Sequence, residues 1–576
     1  MQHREEKLKK LLKIMSISLI TCCCILLLPP VRNFIVEYGE KVVERSANQF
    51  YIDVNYYLII YLLFVILCFT AILVSLIKNV QAFSEKYREK IFTIASIVIV
   101  AMSIIVIIIM YIKCRSLWSD EAFFAKSFVT KNWLELLTPP LDHEQSAPVL
   151  YVIAVKAISS MFAYSESSLR IVSLFSFIGL LICVPIFLKK ALNLDKFKIA
   201  FVVAMTALLP TYIWYSNEFK PYMGDALFAV LTILLYYFYT REKIKLPALI
   251  IFYILLVGFS SPAIFFIAGV LFFEFLSAIA NKNKKQIFSV FMAGTVFLLV
   301  FFLYYYWWML PVSSGMVKYW VAAKPFNPVK ILTIFNTKGN SNSWFVWFFV
   351  PLALLGFFSL CKSKNKIACS VALSLFFAFL ASAIGYWPMT GRLWLFLPAI
   401  VLFFAPVGID LVHDKIKCKR ITGTIEFSVF SVILIFLSVN CLGYTGDKMY
   451  YPTQEINPLI HYVRENIKEG EKLYICNNNS WYVFNYKNDY NATKIGNVTE
   501  DNVIYGINRR EWNEAVLGNE LQTILKNQKT YLIFTHYKTA GGKIDGGLAV
   551  LRNYGTLTEV INFHETLLYY FERASQ

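Results

Sequence analysis

Apolar stretches separated by short polar turns set the pattern of this chain over roughly its first 440 residues. They fall at about 14–30, 55–77, 91–112, 168–188, 199–215, 222–240, 246–260, 262–280, 286–308, 344–360, 367–385, 393–411 and 423–442. A bilayer span takes roughly 20 mostly apolar residues at 1.5 Å rise each, so the pattern predicts about thirteen transmembrane helices. The tail breaks the pattern. There 453–467 and 509–526 read as helices, and 472–476 and 529–535 as strands, which predicts a small α/β domain. The expected fold class is an all-α polytopic membrane protein with a small C-terminal α/β domain. It divides into a two-helix addition (1–90), a transmembrane core (91–443) with loop and interfacial helices at 113–167, and the domain at 444–576.

Composition agrees with that pattern. The chain of 576 residues is 58% hydrophobic and only 16% charged, against about 25% in ordinary soluble domains. The net charge of +18 collects in short loops between apolar runs, where it sets topology and attracts lipid headgroups; it does not read as a nucleic-acid footprint. With the N-terminus cytoplasmic, the inner segments hold 26 Lys and Arg in about 60 residues and the outer loops 14 in about 130, the tail excluded. This orientation puts 113–167, 309–343 and the tail outside, so chemistry is expected at the outer face of the cytoplasmic membrane. Residues 14–30 read as a retained anchor. Residues 147–163 are apolar enough to resemble a span, but crossing there would invert every later loop and bury Lys156 near mid-bilayer; a helix lying in the outer interface avoids both costs. Most of the 11 cysteines sit in apolar runs, so no disulfide framework is expected. The sequons at Asn478, Asn491 and Asn497 imply little.

Three outer segments carry candidate chemistry. The first loop opens RSLWSDEAFFAKSF and continues LTPPLDHEQSAPVLY. Its Asp120 and Glu121 lie close to the end of a span, and Ser119-Asp120 also suits a helix cap. His143 with Asp120, Glu121 and Glu144 offers donors for a divalent metal ion, although no ligand spacing is diagnostic. A hairpin between two spans reads WYSNEFKPYMGDALFAV, with Glu218, Lys220, Tyr222 and Asp225. An intramembrane carboxylate such as Asp225 is a functional candidate; a Lys220–Asp225 ion pair is the structural alternative. In YWPMTGRLWLFLP, Arg392 re-enters the membrane, where it either snorkels or holds a phosphate. All three segments fall on one side of the membrane, which points to one shared outer-facing cavity.

These segments, with SSLRIVSLF, resemble the successive motifs of bacterial C-type glycosyltransferases, in particular the group with rhizobial galacturonosyltransferases and relatives of protein O-mannosyltransferase. The resemblance covers about 91–411 well and the tail loosely. The first two spans look like an addition to the family's usual eleven, and APV stands where the family often has APP. The resemblance implies a polyprenyl-phosphate-linked sugar donor and an acceptor outside the membrane: a glycan, a lipid or a protein. It implies Asp120 as catalytic carboxylate with Glu121 beside it, matches Glu218, Lys220, Tyr222 and Asp225 to the hairpin motif, and matches Arg392 to the late arginine. One base with cations on the leaving phosphate suffices for single displacement with inversion. Lys220 and Arg392 would clamp the phosphate, and His143, Glu144, Glu218, Tyr222 and Asp225 would position substrate. Aromatic clusters at Tyr304–Trp308 and Trp344–Trp347 read first as an interfacial belt and second as a donor entrance. Two rival readings are a lipid-linked-sugar transporter and a non-catalytic membrane scaffold.

Overall fold

A computed structural model of the chain describes residues 2–33, 47–162, 164–312, 343–389, 391–416, 419–446, 449, 455–476, 498, 502–506, 514–535, 544–563 and 566–574. The helices are α1 (Gln2–Leu27), α2 (Ala47–Ser75), α3 (Lys78–Lys113), α4 (Ser119–Thr130), α5 (Val149–Ser160), α6 (Glu166–Lys190), α7 (Lys196–Leu208), α8 (Pro210–Ser216), α9 (Tyr222–Thr240), α10 (Leu246–Phe259), α11 (Ala263–Ala280), α12 (Lys284–Tyr304), α13 (Ser343–Lys362), α14 (Lys366–Ala383), α15 (Leu397–Ile416) and α16 (Lys419–Leu442).

Among the described residues nine helices are long and apolar enough to cross a membrane, ten if α7 and α8 count as one bent span. Each of the thirteen expected apolar segments falls on a helix; α10, with 14 residues, is among the shorter apolar ones. The expected straight span at 199–215 is bent by 53°. Leu209 is extended and Pro210, which has no N–H to donate, starts a new helix.

Helix α5 has 12 residues, about 18 Å, too short to cross a hydrocarbon core of about 30 Å. Its Lys156 is buried, and the amine donates to the carbonyls of Phe128 (2.5 Å) and Lys131 (2.8 Å) at the end of α4. The lysine is thus held by the orphan carbonyls of a helix C-terminus.

Close helix contacts depend on glycine at two facing positions. A Cβ on Gly408 of α15 would overlap the Leu352 carbonyl of α13, and one on Gly356 would overlap the Phe404 carbonyl. Backbone cannot yield as a flexible side chain can. Gly408→Leu is expected to cost about 3 kcal/mol, the upper end of the ordinary overpacking range, read as a lower melting temperature in detergent; an unchanged melt would show that the two helices separate freely.

The C-terminal region holds a five-stranded sheet of β1 (Lys472–Ile475), β2 (Val503–Tyr505), β3 (Lys529–Thr535), β4 (Gly555–Phe563) and β5 (Thr566–Arg573), in the order β2-β1-β3-β5-β4. Strand β1 runs parallel to β2 and β3, while β5 is antiparallel to β3 and β4. The helix α17 (Asn457–Asn466) leads into it. Its Ile456, Leu459 and Val463 share one apolar cluster with Leu117, Phe124 and Val152. Glu455 accepts from the Ser116 backbone and hydroxyl, both at 3.0 Å, so this region is fastened to the loop that carries the acid pair. The ten described cysteines are not joined to one another by disulfides. The three sequons and most of 309–343 lie outside the described residues.

Candidate functional site

Trp118 is extended and helix α4 begins at Ser119. At the third helical position, the Glu121 carboxylate reaches back to the Trp118 backbone N–H (3.3 Å). This fixes the helix start, the role that the sequence suggested for Ser119-Asp120. Adjacent residues on a helix diverge by about 100°, so Asp120 and Glu121 face different surroundings.

Glu121 is fully buried. It accepts from Arg115 (3.2 Å), from Arg170 Nε (3.0 Å) and Nη2 (2.8 Å), and from the Phe219 backbone N–H (2.6 Å). Burial alone would raise its pKa, but the two arginines and these hydrogen bonds hold it at about 2. Both oxygens are occupied, and the residue is not among those that line the cavity described next. It ties together the loop before α4, helix α6 and the hairpin between α8 and α9. Asp120 adjoins Glu121 itself, and Lys220 adjoins Phe219, whose N–H it holds.

Asp120, Lys220, Tyr222, Asp225 and Arg392 line one cavity of about 550 Å³. Arg392 donates to Asp120 Oδ2 at 2.9 Å across 272 residues of sequence. The arginine also lies over the rings of Trp118 and Tyr222, at 5.9 and 5.6 Å, so its planar fork is held from three sides. Neighbouring negative groups, Asp120 among them, keep it charged against the opposing effect of burial. Lys220 is buried and donates to Gln145 Oε1 at 2.5 Å. Asp225 accepts from Ser260 at 2.8 Å, where α10 breaks before α11. Lysine and aspartate therefore have separate partners, and the hairpin ion pair allowed by the sequence is not what the structure shows. The rest of the wall is mostly apolar, including Ile264, Phe265, Phe301, Met309, Leu310 and Leu393.

Other expected residues lie elsewhere. Glu218 is buried behind the cavity, accepting from Trp214 Nε1 (2.9 Å) with Arg115 at 3.9 Å, so it supports the hairpin and does not touch the cavity. His143 packs on Phe123 with ring centroids 4.9 Å apart, and Glu144 is exposed; neither lines the cavity. Both have left-handed backbone, φ 53° and 54°, a sharp turn that carries the chain on to Gln145 and Ser146, which do line it. No group of three or more His, Cys, Asp or Glu gathers among the described residues. The set of Asp120, Glu121 and His143 is not among such groups, and of the three Asp120 alone is found in the cavity lining.

A scan of protein families by sequence returns no match, and neither does a search of curated proteins. Among solved structures the chain is similar to ArnT from Cupriavidus metallidurans in the apo state, with a TM-score of 0.48 at 10% identity over 83% of this chain and 98% of that one. The same protein bound to undecaprenyl phosphate gives 0.45 at 11% identity, over 82% and 97%. At these scores the functional reading rests on the cavity itself.

Several contributors were not singled out in the sequence. Arg115 and Arg170 are both buried to 2% exposure, and an arginine just inside a membrane-length apolar helix is itself a signal of a partner. Tyr305, Met309 and Leu310 reach the cavity through a turn of π-helix at Tyr305–Met309. Trp308 beside them is fully buried and donates to the Ala147 carbonyl at 2.9 Å. This part of the aromatic run is therefore structural and cavity-lining, not only an interfacial belt. Trp387 lines the cavity edge-on to Phe265, its indole nitrogen buried without a hydrogen-bond partner among the described residues.

Proposed function

We propose that this chain is an integral-membrane inverting glycosyltransferase that moves a sugar from a polyprenyl-phosphate donor to an acceptor hydroxyl on an envelope glycan, lipid or protein. The observation that carries the reading is the joint lining of one largely apolar cavity by a carboxylate, Asp120, and two cations, Lys220 and Arg392. The apolar wall suits an isoprenoid chain, and the cations suit the phosphate at its head. The excess of Lys and Arg in the other loops supports an extracytoplasmic site, with the N-terminus cytoplasmic and the C-terminal domain outside.

The chemistry needs few groups. The acceptor oxygen attacks the anomeric carbon from the face opposite the phosphate, forming the new glycosidic C–O bond. The old bond breaks, and its electron pair leaves on the phosphate oxygen. Asp120 takes the acceptor proton. Arg392 and Lys220 stabilise the charge growing on the phosphate. A guanidinium has five N–H donors, so Arg392 holds a phosphate without releasing Asp120. Asp225, the second carboxylate on the cavity wall, accepts from Ser260, so Asp120 is assigned as the base and the expected outcome is inversion; retention would need a second carboxylate beside it as nucleophile. The test is a reconstituted protein given labelled polyprenyl-phosphate sugars and candidate acceptors without an ion gradient. Transfer with release of polyprenyl phosphate supports the reading, and donor movement across the bilayer without sugar transfer contradicts it.

Lys220 gives a pH signature. Burial first, then the charge of Arg392, lowers its pKa to about 8 against the pull of Asp120, Glu218 and Glu121. The protonated amine is the form that binds phosphate. Donor affinity should therefore be full below pH 8 and fall about tenfold per pH unit above it, a limb that Lys220→Met should erase. For folding the sign is opposite: the folded chain releases this proton before the unfolded chain does, so this group adds stability as pH rises from about 8 towards 10.5. An alkaline loss of donor affinity equal in wild type and Lys220→Met would remove the lysine from the clamp.

A further inference from the structure

A second cavity, of about 520 Å³, lies among α1, α2, α13, α15 and α16. It is remote from the transfer site. Arg392 precedes the start of α15, whereas His413, which lines the second cavity, is sixteen residues further along that helix from Leu397, about 24 Å. Its size falls in the range of small-molecule sites, roughly 300–1,000 Å³. The wall is formed by apolar side chains such as Phe64, Cys68, Phe348 and Val429, with His413, Thr422 and Glu426 as the polar exceptions.

Two observations indicate what fills it. The first is an incomplete hydrogen-bond set. His413 Nδ1 lies 3.1 Å from Glu426 Oε1, while its Nε2 is buried and has no partner among the described residues. A buried polar atom without a partner destabilises the fold, and a bound polar group would remove that cost. The second is basic charge next to lining positions. Lys13 and Lys415 are exposed and adjoin the lining residues Leu12 and Ile416 in sequence. Arg88 packs so closely on Gly423 that a Cβ there would come within 2.6 Å of its guanidinium, next to the lining residue Thr422. An apolar slot in membrane-crossing helices, with an orphan imidazole nitrogen on its wall and cations from three helices next to its lining positions, has the chemistry of an anionic amphiphile.

We infer that this cavity is a binding site for an anionic membrane phospholipid, one acyl chain lying in the slot and the headgroup held by His413 and these basic residues. The lipid joins α1 and α2, the two-helix addition, to the core at the end of the bundle opposite the transfer site. The role is separate from catalysis, since none of its residues lines the transfer cavity.

The test uses the full chain purified in mild detergent and equilibrated with equal phosphatidylglycerol and phosphatidylcholine, with retained lipid read by native mass spectrometry. Wild type should keep phosphatidylglycerol in preference. Cys68→Trp, which fills the slot, should abolish retention, and His413→Leu should weaken it roughly tenfold, the value of one charge-assisted hydrogen bond. Because Cys68→Trp can also disturb folding, a second measurement uses wild type alone: a phosphatidylglycerol with a diazirine on its acyl chain should cross-link to 64–72 and 425–433 above other lipid-facing segments. Cross-links spread evenly over the helices, no preference between the two lipids, equal retention by wild type and Cys68→Trp, or displacement by polyprenyl phosphate would each overturn the proposal.

Discussion

Asp120→Asn should leave the protein folded and lower sugar transfer by about 10²–10⁴-fold, the range expected for a positioned general base. The side chain is 25% exposed and asparagine nearly matches its shape, so the melting temperature should move little. What disappears is the proton acceptor and one partner of Arg392. Donor binding should hold or improve, because the arginine no longer shares its charge with a carboxylate. Transfer at the wild-type rate would remove Asp120 from the mechanism, and a large drop in melting temperature would show that its ion pair serves the fold.

The neighbouring acid should behave in the opposite way. Glu121→Gln leaves Arg115 and Arg170 buried with no anion between them, and breaking a buried ion pair from one side costs about 3–5 kcal/mol. The expected result is a large fall in melting temperature, with activity lost through the fold. Donor affinity should fall as well, because the Phe219 N–H that Glu121 holds at 2.6 Å is next to Lys220. Equal stability of wild type and Glu121→Gln would mean that the two arginines find other partners. Two adjacent acids, one failing in chemistry and the other in stability, make a comparison that neither variant gives alone.

That division was only half legible in the sequence. The Asp-Glu pair, the hairpin residues and the late arginine stood out because polar residues at the ends of apolar runs are conspicuous. Which acid faces the cavity depends on how α4 packs, and a dipeptide does not encode the direction. His143 and Glu144 stood out for the same reason, but two left-handed residues turn the chain sharply there, and the residues of this loop that line the cavity begin just after them, at Gln145 and Ser146. The apolar runs predicted where helices form because bilayer spans are set by composition and length. They did not show that Pro210 bends one run or that α10 stops at 14 residues. In the tail, β1 and β3 were read from short apolar runs, whereas β4 and β5 were not singled out. Strand β4 is one face of an edge hairpin and largely unburied, so its apolar signal is weak.

The central claim is that Lys220 and Arg392 form the phosphate end of a lipid-donor cavity. The most direct measurement compares the affinity of the purified protein for polyprenyl phosphate and for the matching phosphate-free polyprenol, in wild type and in the Lys220→Met/Arg392→Ala double variant. The account predicts that wild type prefers the phosphate form by about 100-fold or more, the value of two charge-assisted contacts, and that the double variant binds both forms alike. Equal affinity of wild type for the two lipids, or a preference that survives in the double variant, would contradict it.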